Sequence, residues 1–390
     1  MTSLKKEGYM ESFIYQMPVK VYFGQNGVRE HLASELKKYG PNIMLAYGKG
    51  AIKRIGLYDE LVEILKDCGK NIIELCDIPA NPTYEKVQEG IELYRENHVD
   101  LIIAAGGGSV VDCVKVITAG VYEESDLWQA QMDEGRIAEK MGDYAVVLTL
   151  SGAGAEMDNL GAITIDDDKK TFVGSYAKFV ILDPTYIKDI PFTSFMPGVF
   201  DSLTHCMETY FGHGYNVSDR MNEGIMKDII ANMYAMINGN DSLEIRSNLM
   251  WDSSLIQTFL FNVGKPGDFQ AHCIENTLGA YSHGTHGKQL AIIQPAYYRA
   301  VYENEMDKFA TFARNVFNVK EEDNKKAADL GLECLEQLID EAKLPRTFKE
   351  AGYELTEEVA KAVSMKCPIS MNGPRMLTRE EVFNMLMRLR

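Results

Sequence analysis

Asp100-Leu-Ile-Ile-Ala-Ala-Gly-Gly-Gly-Ser-Val-Val-Asp112 decides the fold. Leu101 to Ala105 is an unbroken apolar run, the pattern of a strand buried on both faces. Three glycines then turn the chain, and a helix opens behind them. Glycines at such a turn let backbone N–H groups approach a pyrophosphate, and the helix N-terminus adds favourable partial charge. Ser109 can donate to a phosphate oxygen, and Asp112 is expected in the first helical turn, where its charge suits the dipole. The spacing is not GxGxxG, and tight strand-to-helix turns also use glycine without binding anything.

The flanking sequence repeats this unit. Asn42 to Tyr47 reads as a buried strand and Leu57 to Cys68 as an amphipathic helix. Asn71 to Leu75 is the next strand, and Thr83 caps a helix running to about Asn97. A strand near Ala145 to Leu150 precedes a hairpin, Gly161–Thr164 with Thr171–Gly174, turning through Asp166-Asp167-Asp168. Phe179 to Leu182 closes the β-rich half. The alternation predicts right-handed βαβ units and a parallel sheet covered on both faces. A second glycine loop, Gly48-Lys49-Gly50, ends the first of these strands and faces the same sheet edge, where such folds bind ligands.

Beyond Pro191 the pattern becomes helical almost throughout, as in Asn222 to Ile237, Asn304 to Phe317 and Lys325 to Ala342. The shift places a boundary near residue 190: an α/β domain over 1–190 and an all-α domain over 191–390. No internal repeat interrupts either half.

Composition bounds the function. The chain has 390 residues, enough for two cores. A net charge of −17 argues against nucleic acid or an anionic membrane as partner. No apolar run reaches membrane-spanning length, and no secretory pattern is legible at the start. Seven cysteines without a CxxC pair read as reduced thiols of a cytoplasmic protein.

The helical half carries the chemistry. Asp201 and His205 stand at i and i+4, on one helix face. His272 and His286 flank the turn-prone stretch Tyr281-Ser-His-Gly-Thr285, and with His205 they bring the imidazoles to three; His283 is a further histidine within the stretch. Three imidazoles and a carboxylate suit a divalent first-row metal with a position left open for water or substrate. Such a metal would be a Lewis acid. Asp201 and His205 alone could be a simple surface pair. Cys206 and Cys273 sit beside ligand candidates but point elsewhere on their helices.

Taken in order, these pieces resemble the iron-containing (group III) alcohol dehydrogenase family, in its branch of butanol dehydrogenases and NADPH-using aldehyde reductases. The resemblance runs from Lys20-Val-Tyr-Phe-Gly24 through Gly56-Leu-Tyr-Asp59, Asn81-Pro82 and the glycine loop. It continues in Leu182-Asp183-Pro184, Asp201 to Glu208, Asn248 to Trp251, and Gly267-Asp268 to Gly287. It implies a Rossmann-like domain followed by a helical one, the dehydroquinate synthase-like architecture, with metal and active site in the cleft between them. It implies a metal on Asp201, His205, His272 and His286, ferrous iron first and zinc as the alternative. Gly48, Lys49, Gly50, Gly107, Gly108, Ser109, Asp112, Thr149, Lys170 (with Lys169 as fallback) and Leu182 are implied as cofactor residues. The loop at 48–50 lacks the acidic residue with which NAD-using members hold the ribose, so NADP is favoured over NAD. A homodimer is implied as well.

Two departures from the family pattern concern proton transfer. Asn276 stands where a histidine is common four residues after the third ligand, and Ala153 stands where a threonine is common. His283 could take the relay, or could be an exposed loop residue. The implied reaction is hydride transfer between NAD(P)H and a small aldehyde or primary alcohol such as butanal and butanol. The alternatives are a glycerol dehydrogenase-like polyol oxidase and a degenerate homologue that binds without turnover. A dehydroquinate synthase-like lyase would need cationic side chains around the metal, and segments 196–210 and 267–287 contain no Lys or Arg.

Overall fold

The computed structural model describes residues 11–152, 154–166 and 168–390. Eight strands form in chain order: β1 Lys20–Phe23, β2 Asn42–Gly48, β3 Asn71–Ile78, β4 Leu101–Gly106, β5 Tyr144–Leu148, β6 Leu160–Ile165, β7 Asp168–Val173 and β8 Phe179–Leu182. Six make one parallel sheet in the order β1-β8-β5-β4-β2-β3, while β6 and β7 form a separate antiparallel hairpin. Leu101 to Ala105 are all fully buried, because β4 lies inside the sheet with helices on both faces. The α/β reading therefore holds, and so does the hairpin, whose Gly161 pairs with Phe172. Asp167 and Ala153 lie outside the described residues.

Strand order fixes where a ligand can enter. From β2 the chain moves outward to β3, then returns to the other side of β2 for β4 and continues outward through β5 and β8. The direction of winding reverses between β2 and β4. Open α/β sheets bind ligands at the carboxyl ends of the strands at such a switch point. Those ends carry Gly48 and Gly106.

Two compact units divide the chain. One comprises Met17–Ile190 together with Ser242–Gln257. The helix Leu243–Ile256 thus belongs with the sheet rather than with the helices beside it in sequence. The Arg246 guanidinium holds it there by donating to the carbonyls of Ile187, at 2.5 Å, and Ile190, at 2.8 Å. The other unit contains Pro191–Asp241, Thr258–Arg390 and the described residues before Met17. Its helices include Phe192–Phe211, Val217–Ile237, Gln270–Ser282 and His286–Val301. Helices Phe192–Phe211 and His286–Val301 cross so closely that a β-carbon added to Gly287 would lie 2.0 Å from the Pro197 carbonyl oxygen. Among the described residues no helix is long and apolar enough to cross a membrane.

Candidate metal centre and nucleotide loops

Three neighbouring helices deliver the metal candidates. Asp201 projects from the middle of Phe192–Phe211, His272 from the first turn of Gln270–Ser282, and His286 opens His286–Val301. Ligand atoms of Asp201, His272 and His286 all lie within 4.8 Å of one another. Asp201 Oδ1 is 3.4 Å from His272 Nε2 and 3.7 Å from His286 Nε2. His205 stands beside this trio rather than within it. Its Nδ1 faces its own helix, 3.0 Å from the Asp201 carbonyl oxygen and 3.1 Å from Asp201 Oδ1. Its ring centroid lies 4.3 Å from that of His272.

The donor set fits a divalent cation. Asp201 Oδ1 and His272 Nε2 are buried, and neither makes a hydrogen bond of good geometry among the described residues. Burial would raise the Asp201 pKa, but His286 and His205 outweigh it and hold the carboxyl well below its ordinary range. Burial would lower the His272 pKa, but Glu208 and Asp201 push it up to about 10.

Two residues that sequence reasoning missed complete this arrangement. Glu208, fully buried, lies against Nδ1 of His272 and accepts from the His272 backbone N–H at 3.1 Å. Glu275, also buried, lies against Nδ1 of His286. The signal was helical spacing: Glu208 follows His205 by three residues, and Glu275 follows His272 by three.

The glycine-loop candidates, Thr149 and Leu182 follow or end strands at the carboxyl edge of the sheet, whereas Lys170 lies on the separate hairpin, and several of the candidates have changed roles. Gly107 caps the helix Gly108–Gly120, and Gly50 adopts φ +114, a conformation that favours glycine. Lys49 is exposed. Thr149 follows β5, buried, with its N–H donating to Gly106 O at 2.9 Å. The Ser109 hydroxyl donates to the Ala80 carbonyl instead of standing free for a phosphate. Asp112 lies beyond the first turn and faces the hairpin, accepting from the Ala162 N–H at 3.4 Å; burial raises its pKa to about 6. Lys170 pairs with Asp168 at 2.8 Å. The Leu182 side chain is fully buried, so only its carbonyl is offered, and that accepts from Gly24 at 3.0 Å.

Sequence families select among the readings of this geometry. The model described as "Iron-containing alcohol dehydrogenase" matches residues 18–184, and "Fe-containing alcohol dehydrogenase family, C-terminal" matches residues 195–389. The chain belongs to the iron-containing alcohol dehydrogenase family. NADH-dependent butanol dehydrogenase A of Clostridium acetobutylicum is 36% identical over 88% of this chain and 90% of its own length. NADPH-dependent aldehyde reductase YqhD of Escherichia coli is 27% identical over 88% and 90%. A crystal structure of NADH-dependent butanol dehydrogenase A from Thermotoga maritima superposes with a TM-score of 0.89 at 29% identity, covering 97% of this chain and 99% of its own. The chain is thus an oxidoreductase of the iron-dependent alcohol dehydrogenase type, with a Rossmann-like unit and a helical one. Polyol oxidation and binding without turnover are not favoured by these relatives.

Asn276, at the position where the family often has a histidine, and His283, the relay candidate, fall in different settings. Asn276 is half-buried one turn past His272 on the same helix. His283 is exposed, in left-handed backbone (φ 49) at the end of that helix.

Proposed function

We propose that this enzyme transfers hydride between NAD(P)H and small aldehydes or primary alcohols, with butanal and butanol as the representative pair. The observation that carries the reading is the meeting of Asp201, His272 and His286 within 4.8 Å, in a chain of this family. These three side chains, with His205 from the same face as Asp201, would hold the divalent metal, ferrous iron first and zinc second. Bound there, the metal supplies Lewis acidity toward a carbonyl or alcohol oxygen. Buried carboxylates lie beside Nδ1 of both His272 and His286, and Nε2 of each ring faces Asp201.

The loops at 48–50 and 106–109 would cradle the dinucleotide, with Gly107, Gly108 and the N-terminus of Gly108–Gly120 at the pyrophosphate. Thr149 lies beside this loop, and Lys170 on the hairpin is the cation assigned to the ribose and phosphates. Lys49 leaves room for a 2′-phosphate, so NADPH is accepted as well as the NADH named for several relatives. Asn276 can hydrogen-bond but not exchange a proton near neutral pH, so proton delivery falls to water or to His283.

Among the described residues β1 is an edge strand, a pairing surface that supports a homodimer. All seven cysteines are free, which supports a cytoplasmic setting. Butanal turnover with each nicotinamide, before metal removal, after it and after reconstitution, tests the proposal. Unchanged turnover in metal-free protein would end it.

A further inference from the structure

We propose that Glu208 and Glu275 are positioning residues for the metal's histidines, each anchoring one Nδ1–H so that Nε2 faces Asp201. The inference rests on the metal reading above and deepens it.

The anchoring forms a chain across three helices. Helix Phe192–Phe211 gives Asp201 to the centre and Glu208 to the histidine of the next helix. Helix Gln270–Ser282 gives His272 to the centre and Glu275 to the histidine of the one after. Each helix therefore orients the ligand that follows it. His205 has its own anchor, the Asp201 carbonyl oxygen 3.0 Å away. Nδ1 of His205 and of His272 is hydrogen-bonded and Nδ1 of His286 lies at ion-pair distance from Glu275, which leaves Nε2 of each ring as the atom for a cation. A carboxylate on the outer nitrogen fixes the tautomer and raises the basicity of the ligating one. Both carboxylates are at most 1% exposed, so water does not compete for the contact.

The two anchors carry unequal burdens. The His272 ring is 10% exposed and packs against His205 and Phe269, so its position has other support. His286 is 32% exposed and opens a helix whose N-cap, Thr285, makes no side-chain cap bond. Glu275 is therefore the larger determinant of metal affinity, whereas Glu208 also holds backbone, through the His272 N–H, and is the larger determinant of folding.

The test uses full-length zinc-loaded protein with 15N-labelled histidine. Two Nδ1–H signals, far downfield and slow to exchange, are expected for His272 and His286. Glu275→Ala should erase the His286 signal and weaken zinc binding roughly 10–100-fold in chelator competition. Glu275→Gln, which keeps an acceptor oxygen, should restore the signal and part of the affinity. Glu208→Gln should lower the unfolding temperature more and the zinc affinity less. Zinc binding in Glu275→Ala within about twofold of the parent, with both signals intact, would overturn the inference and leave the metal site standing. If Glu275→Ala does not fold, parental zinc affinity in Glu275→Gln with a displaced His286 signal overturns it equally. Failure of the parent itself to bind zinc or iron would overturn the metal reading, and this inference with it.

Discussion

Asp201 Oδ1 lies 3.4 Å from Nε2 of His272, two buried atoms brought together by different helices. A carboxylate and an imidazole nitrogen facing each other without a well-formed hydrogen bond are costly unless something shares them. The pair therefore predicts what happens when one half is neutralised. Asp201→Asn keeps the shape and removes the charge. It should weaken iron or zinc binding by more than the roughly 10–100-fold that loss of an outer partner costs. Aldehyde reduction should fall with it, while nucleotide binding stays near the parent value. Calorimetric metal titration checks this; retained affinity would remove Asp201 from the ligand set.

Gly287 makes a second prediction about the same centre. It follows His286 directly, and a β-carbon there would stand 2.0 Å from the carbonyl oxygen of Pro197. That oxygen belongs to backbone and cannot swing aside. Gly287→Ala should separate the two helices, destabilise the fold by about 1–3 kcal/mol and carry His286 away from Asp201. Thermal unfolding and metal affinity should both decline. A variant with parental metal affinity would show that helix spacing does not set the ligand geometry.

Much of this was legible in the sequence where local pattern and burial agree. Leu101 to Ala105 reads as a buried strand because nothing polar interrupts it, and the sheet does bury it on both faces. Lys20-Val-Tyr-Phe23 gives no strand signal in the sequence, because four residues of mixed exposure have no period to read. The helix Leu243–Ile256 looks like its neighbours in sequence, and what assigns it to the sheet unit is Arg246 reaching two distant carbonyls. Spacing brought Asp201 and His205 onto one face. It could not say which of the buried glutamates would meet which imidazole, since that depends on how three helices pack. Ser109 shows the converse: its type suits phosphate binding, but a backbone carbonyl at Ala80 claims the hydroxyl.

Cofactor choice can be tested at Lys49. The residue is exposed on the loop after β2, next to Gly50 in its left-handed conformation. Two like charges about 4 Å apart repel by on the order of 1–4 kcal/mol between bulk water and a protein surface. Lys49→Asp should therefore lower kcat/KM for NADPH by roughly tenfold or more, with NADH little affected. The parent should use both cofactors. Equal losses for the two in Lys49→Asp would place the adenosine ribose elsewhere.

Asp268 yields a pH prediction. Buried beside Glu208, it has its pKa raised from 3.8 to about 7, with burial the main cause and the Glu208 charge second. A raised acid pKa means that the folded state binds more protons than the unfolded chain between about pH 4 and 7. Stability therefore declines as pH rises through that window and levels off above it. Asp268→Asn removes the charge that is costly to bury. Relative to the parent it should gain nothing near pH 4, then gain progressively to pH 7, reaching on the order of 1–4 kcal/mol at pH 8. Urea unfolding at saturating metal, repeated across pH 4–8, measures the difference. A gain that does not vary with pH would mean that the Asp268 carboxyl does not change its protonation on folding.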